Sequence, residues 1–243
     1  MIAKKNITKA YHLFLIVHLI VWTMVPAISN LNLPLDTIEA LAWGSNLSWG
    51  FNKHPPFSAF AVELFYILFG ANDWAYYLLS QVFVIIAFIY VWKFSNEIFE
   101  EKIYAFISLL AIEGIFFYNF TTPEFNVNIS QLPFWALTVY FFWKGLKQNK
   151  IIYWFLFGAF SAFGFLSKYF FIYILISLFL YILFFFKKYR ANVKYYILSI
   201  LISLLILLPH FFWLFENNFV TLSYGLARSN LSDSEFLAHL YNP

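Results

Sequence analysis

The chain contains no cysteine. Disulfides, thiolate metal sites and cysteine nucleophiles are thereby excluded. Charge is also scarce. Asp, Glu, Lys and Arg make up 11% of the 243 residues, against about 25% in soluble domains. The formal net charge is only +3, so nucleic acid is not an expected partner. There is no Walker loop, dinucleotide fingerprint or HExxH motif, and no internal repeat or low-complexity linker. What fills the chain is apolar. It is 63% hydrophobic and 25% aromatic, with a mean hydropathy of +0.74. This composition predicts an all-α, multi-pass membrane protein.

About 20 apolar residues carry a helix across the hydrocarbon core. Seven segments approach that length: Tyr11–Ile28, Trp74–Phe94, Ile103–Phe120, Ile129–Trp143, Ile151–Leu166, Phe170–Phe186 and Tyr195–Phe215. The N-terminus has the basic-then-apolar pattern of a signal peptide, but no small-residue cleavage site stands near Asn30, so the first helix is read as retained. Only Ser167-Lys168-Tyr169 separates the fifth and sixth segments. A tight hairpin is expected, because one continuous helix would overshoot the bilayer. Phe57–Phe69 is apolar but short and contains Glu63, which fits an interfacial helix better than a span. A second surface helix is expected over Asp36–Leu47. There Asp36, Glu39, Trp43 and Asn46 recur at helical steps and would share one face.

The basic residues set the orientation. With a cytoplasmic N-terminus and the two short helices left non-spanning, twelve Lys and Arg residues fall inside and three outside: Lys53, Lys168 and Arg228. This asymmetry follows the positive-inside rule. Residues 1–215 are therefore expected to form a transmembrane domain whose first outer loop covers residues 29–73. Residues 216–243 would begin a polar outer segment that continues beyond this length of chain.

The outer polar residues are few. Asp36 and Glu39 lie one helical turn apart, where a carboxylate can accept or orient the proton of a hydroxyl. Their plain alternative is favourable charge at a helix start. Lys53-His54-Pro55-Pro56 precedes the short Phe57 helix, and proline holds the residue before it extended. Lys53 can hold a phosphate, and His54 a phosphate, a hydroxyl or a metal. The plain alternative is a basic interfacial anchor. Lys168 at the hairpin turn either snorkels to the interface or meets an anion. Glu113 sits within the third segment, where ionisable groups mark pathways or helix contacts. His210 and Glu216 bracket the outer end of the seventh segment. Asp36, Glu39, His54 and Glu124 are candidate ligands for a divalent cation, without any local ligand spacing to support one.

Three ordered blocks then carry a resemblance. Asp36-Thr37-Ile38-Glu39-Ala40, Trp49-Gly50-Phe51-Asn52-Lys53-His54-Pro55-Pro56-Phe57 and Leu68-Phe69-Gly70 come first. Thr122-Pro123-Glu124-Phe125-Asn126 with Leu132-Pro133-Phe134-Trp135-Ala136-Leu137 follows, then Phe163-Gly164-Phe165-Leu166-Ser167-Lys168-Tyr169. Together these resemble the GT-C glycosyltransferases of family 39, the dolichyl-phosphate-mannose-protein mannosyltransferase-like group related to the aminoarabinose transferases. The likeness runs from about Leu13 to Asn242 and corresponds to that family's N-terminal part.

The resemblance implies a GT-C-like bundle of about seven transmembrane helices with two short interfacial helices in the first outer loop. It implies a glycosyltransferase of the cell inner membrane. The donor would be a polyprenyl-phosphate sugar, with its tail among membrane lipid. The acceptor would be a hydroxyl of a protein, lipid or glycan. Carried over by position, Asp36 is the base or acceptor-orienting group and Glu39 its support. Lys53 and Lys168 would stabilise the departing phosphate, and His54 would shape the donor site. Glu124, Asn126 and Arg228 are candidates for acceptor contact or support. Many members of the group carry Asp where this chain has Glu124, Asn126 and Asn128. Two rival readings remain at this point: a transporter of lipid-linked sugar with Glu113 and Lys168 along its path, and a non-catalytic fragment of such an enzyme.

Overall fold

In the computed structural model, residues 2–189 and 192–229 are described, with side chains from Asn6 to Tyr189 and from Asn192 to Ala227. The described residues are helical and contain no strand. In chain order the helices are α1 Ile2–Ser29, α2 Leu35–Gly44, α3 Phe57–Phe69, α4 Asp73–Ile98, α5 Lys102–Glu113, α6 Val127–Gln148, α7 Ile151–Ser167, α8 Ile172–Phe184, α9 Phe186–Tyr189, α10 Val193–Glu216 and α11 Val220–Ser229. Short 3-10 turns lie at Phe116–Tyr118 and Tyr169–Phe171.

Among the described residues, three stretches are long and apolar enough to cross a membrane: Asn6–Ser29, Asp73–Ile98 and Val193–Glu216. The helices pack as a row, α1–α4–α6–α7–α10, with α5 against α1 and α4. Burial follows this order. Half of the most apolar window of α4 is buried, against 17% for α1 and 22% for α10 at the flanks. The flanks expose Leu13, Ile16, Ile20, Leu201 and Leu205. Such a surface is unfavourable in water but suits hydrocarbon, because each helix satisfies its own backbone. Aromatic rings fill the seams. Tyr11 of α1 stacks on Trp92 of α4 with centroids 4.4 Å apart.

Three of the sequence expectations are corrected by the helix boundaries. The third apolar segment does not run as one helix to Phe120. Helix α5 ends at Glu113, where Gly114 follows and the Asn119 side-chain amide donates to the Glu113 carbonyl. Glycine weakens helix continuation, and the captured carbonyl is one of those a helix end leaves free. The chain then turns through its own hydrogen bonds, Tyr118 N–H to Ile115 C=O at 2.9 Å and Thr122 N–H to Asn119 C=O at 3.1 Å. Helix α2 ends at Gly44, short of Leu47. Asn46 therefore leaves the face shared by Asp36, Glu39 and Trp43, and its amide bonds the Ala42 carbonyl instead.

The hairpin forms as the sequence suggests. Helix α7 stops at Ser167, and the Phe142 ring of α6 touches both Phe157 of α7 (5.3 Å) and Tyr181 of α8 (6.0 Å). The chain therefore reverses across Lys168–Phe171. Gly164 makes the reversal possible, since a Cβ there would come within 2.4 Å of the Phe171 ring. Helices α2 and α3 pack on each other, and α3 also touches α4, α6 and α7.

Candidate active site

The site is built from four chain segments. Helix α2 supplies Asp36, Glu39 and Trp43, and the loop before α3 supplies Lys53 and His54. The Glu124–Asn128 stretch enters α6. Lys168 stands at the α7–α8 turn.

Helix α2 is held by the Glu124–Asn126 stretch. One of the free N–H groups in the first turn of the helix, at Asp36, donates to Glu124 Oε1 at 3.1 Å. Glu124 thus caps α2 from 88 residues away, and its negative charge suits a helix N-terminus. The Thr37 hydroxyl donates to the Phe125 carbonyl at 3.2 Å. Asn126 Nδ2 donates to Asp36 Oδ2 at 3.4 Å. The same Asn126 caps α6, its Oδ1 accepting from the N–H groups of Asn128 (2.9 Å) and Ile129 (3.2 Å). One asparagine therefore fixes both a helix start and the orientation of the carboxylate. Both Glu124 and Asn126 stand as supports of α2.

The loop before α3 is closed by a Phe51 N–H to His54 C=O bond of 3.1 Å. Phe51 is buried and stacks on Trp43 at 5.1 Å, while His54 meets the edge of the same indole. Lys53 Nζ pairs with Glu39 Oε1 at 2.5 Å. That hydrogen bond raises the Lys53 ammonium above its ordinary range. Burial pushes His54 below 6.5, and the nearby charges of Lys168 and Lys53 push the same way while Glu39 and Asp36 oppose them. His54 is thus kept as a neutral imidazole, able to donate one hydrogen bond and accept another.

Contacts from the far end of the bundle clamp this loop. His210 is fully buried in α10. Its Nδ1 lies 2.6 Å from the Trp49 carbonyl and its Nε2 2.8 Å from the Tyr169 hydroxyl. A neutral imidazole protonated at Nδ1 satisfies both. Thr221 adds a 2.6 Å bond to the Phe51 carbonyl. Gly50 lies against Trp213 so closely that a Cβ would come within 2.3 Å of the ring. His210 does not reach the cleft itself; it ties the loop to the turn that carries Lys168. Its bond to Trp49 spans 161 residues, beyond any local sequence signal. Glu216 ends α10.

Lys168 follows from the packing beneath it. Ser167 is fully buried, and its hydroxyl bonds the Phe163 carbonyl at 2.9 Å. Lys168 Nζ reaches Asn128 Oδ1 at 2.5 Å and lies 5.1 Å from the Phe170 ring centre. Among the described residues no carboxylate pairs with it. Burial lowers its ammonium below 10.5, so the charged form stands desolvated beside a neutral amide oxygen.

Asp36, Glu39, Trp43, His54, Ser58 and Asn126 line a narrow cleft with a cavity volume of about 10 Å³, room for one water, together with Ala40 and Val127. Ser58 is a residue that the sequence reading missed. It is 1% exposed and its hydroxyl has no hydrogen-bond partner. An unpaired buried hydroxyl costs about 1–3 kcal/mol, which a ligand hydroxyl or a water in the cleft would recover. Its only sequence signal was a serine directly after His-Pro-Pro-Phe. Among the described residues no three His, Asp or Glu side chains gather closely enough to hold a metal ion. The side chain of Arg228 lies outside those described.

No curated protein and no solved structure matches the chain. Residues 53–213 match the family model of the dolichyl-phosphate-mannose-protein mannosyltransferases. With more than half of its length covered, the chain belongs to that family and is a membrane-embedded glycosyltransferase of the GT-C type.

Proposed function

We propose that this chain moves a sugar from a polyprenyl-phosphate donor to a hydroxyl of a protein, lipid or cell-surface glycan. The reaction would take place at the outer face of the cell inner membrane, with the N-terminus in the cytoplasm. The observation that carries this reading is the convergence of an oriented carboxylate, two cations, a neutral imidazole and an unpaired serine hydroxyl around one cleft and its margin. The family match covers Lys53, His54, Ser58, Glu124, Asn126 and Lys168 but begins after Asp36 and Glu39. The roles of those two rest on the geometry of α2.

In this reading the acceptor oxygen attacks the anomeric carbon as the bond from that carbon to the phosphate oxygen breaks. The acceptor proton passes to Asp36, whose Oδ2 is held by Asn126. The bonding pair leaves with the phosphate, and Lys53 and Lys168 stand where that charge develops. Cations placed at a developing anion lower the barrier. Glu39 holds Lys53 in place, and His54 and Ser58 bond sugar hydroxyls or the phosphate.

The test is transfer of labelled sugar from a polyprenyl-phosphate hexose in vesicles, with membrane extract as the source of acceptor. Removing a general base costs about 10²–10⁴-fold, so Asp36→Asn is expected to lower kcat by that order. Unchanged turnover in this variant would overturn the assignment of the base. Movement of the donor between leaflets with no transfer would instead favour transport.

A further inference from the structure

A second polar network lies well away from the cleft. Its level follows from the helices. Lys102 Nζ, at the foot of α5, donates to the Thr8 hydroxyl of α1 at 3.0 Å. Ten residues further along α1 is His18, and eleven further along α5 is Glu113. At ~1.5 Å per residue both lie about 15 Å above that contact, near the middle of a hydrocarbon core ~30 Å thick. There His18 Nδ1 lies 3.1 Å from Glu113 Oε2. The His18 side chain is 1% exposed and that of Glu113 26%.

The proton positions follow from the chain of contacts. The Thr122 hydroxyl has one proton and donates it to the Asn119 carbonyl at 2.6 Å. It must therefore accept from Gln81 Nε2 at 2.8 Å. That fixes the Gln81 amide with Oε1 toward His18 Nε2, 3.1 Å away. Nε2 must then carry a proton, since two acceptors cannot bond. On the other side of the ring, His18 Nδ1 and Glu113 Oε2 lie within ion-pair distance without hydrogen-bond geometry, and neither atom has a hydrogen-bond partner elsewhere. Glu113 therefore abuts the ring as the α5 side of the network.

We propose that His18, Glu113, Gln81 and Thr122 form a positioning relay that fixes the loop bearing Glu124 and Asn126, and through it the carboxylate of Asp36. The loop leaves α5 at Glu113 and returns to α6 at Val127. Thr122 is fully buried two residues before Glu124, and Phe125 is fully buried next to it. The relay thus grips the loop from α1 and α4 at the point where the loop caps α2. These four are positioning residues: none lines the cleft. The effect on sugar transfer rests on the function proposed above, whereas the grip on the loop does not.

The test reads both. Amide hydrogen exchange of residues 119–126 in lipid nanodiscs reports loop opening. Gln81→Leu, Thr122→Val and Glu113→Leu each cut the relay and are expected to speed exchange at Thr122 and Glu124 by about tenfold or more. Glu113→Gln places a donor toward Nδ1 through its amide, so exchange is expected to stay within about threefold of the parent. Solid-state nitrogen-15 NMR of histidine-labelled protein, with His18→Phe to assign the signal, should show a protonated Nε2 on His18 in both the parent and Glu113→Gln. In the transfer assay, Thr122→Val is expected to lower kcat about tenfold with KM for the donor changed less than about threefold, since an oriented base acts in the transition state. An unprotonated Nε2, or exchange unchanged in all three relay-cutting variants, would overturn the relay. Exchange that accelerates while the parent shows no transfer would uphold the relay and sink the transferase reading alone.

Discussion

The two faces of the bundle treat their lysines in opposite ways. At the C-terminal ends of α4 and α6, Glu97 accepts from Lys144 at 2.7 Å and from Lys147 at 2.9 Å. Those cations have a protein anion already. At the α7–α8 turn Lys168 has only the amide oxygen of Asn128 and the rim of Phe170, and burial works against its charge. A structural cation would gain more from a carboxylate in that place. Leaving Lys168 on a neutral oxygen keeps its charge available for a ligand anion, at a cost to the free protein. Lys53 lies between these cases, paired to Glu39 but at the margin of the cleft. Positive-inside counting treats Lys144 and Lys147 as members of one basic class. Only the pairing separates an anchoring lysine from one kept for a ligand.

The sharpest way to break this comparison is to remove each cation in turn. Lys168→Ala takes away a group aimed at developing phosphate charge, a loss of about 10²–10³ in kcat. Thermal unfolding should shift little or upward, because a desolvated and unpaired charge is gone. A variant with normal turnover and lowered stability would make Lys168 an anchor like Lys144. Vesicle transfer kinetics and a melting curve on the same preparation decide between the two.

The next effect is one of pH. In the folded protein the Lys168 ammonium gives up its proton below 10.5. Activity needing the cation is therefore present at neutral pH and lost as pH rises through that lowered value. The kcat/KM profile reports the free enzyme, so its alkaline limb should lie below 10.5. Lys168→Arg keeps its charge at any such pH. Its peak rate is expected to fall, since the guanidinium fits the Asn128 contact differently, but the limb should move up. A limb that stays in place would assign it to another group. His54 works at the acid end. Its folded proton affinity is lowered, so the unfolded chain takes up a proton first. Its contribution to stability is present above 6.5 and lost as pH falls below it.

Local pattern in the sequence reached much of this. The one-turn step from Asp36 to Glu39 and the prolines before Phe57 were enough to place α2 and α3, because helix faces and proline geometry act within a few residues. The break at Lys168 followed from length. The end of α5 at Glu113 did not, since the hydropathy of Ile115–Tyr118 continues that of the helix while Gly114 and the Asn119 amide stop it. His18 was unreadable for another reason. Its partner Gln81 is 63 residues away in the chain, and no periodicity couples two helices at that distance. The same holds for His210 and Trp49. What the sequence could supply was the set of polar residues. The pairing came from the packing of α1 on α4 and of α10 and α11 on the loop before α3.

The smallest effect tests the Glu97 cluster. Glu97→Gln removes the carboxylate shared by Lys144 and Lys147 but keeps an amide of the same shape. Lys147 is half exposed and Glu97 about a quarter, and partly exposed pairs are worth about 0–1 kcal/mol each. Stability should therefore fall by no more than about 1–2 kcal/mol, and less at high salt because exposed charges are screened. Turnover should stay within about twofold of the parent, since none of these three residues enters a step at the cleft. A tenfold loss of turnover with intact folding would mean that the Glu97 cluster is coupled to the cleft through α4 and α6. The two faces would then form one connected system, and the contrast between their lysines would need a cause other than ligand binding.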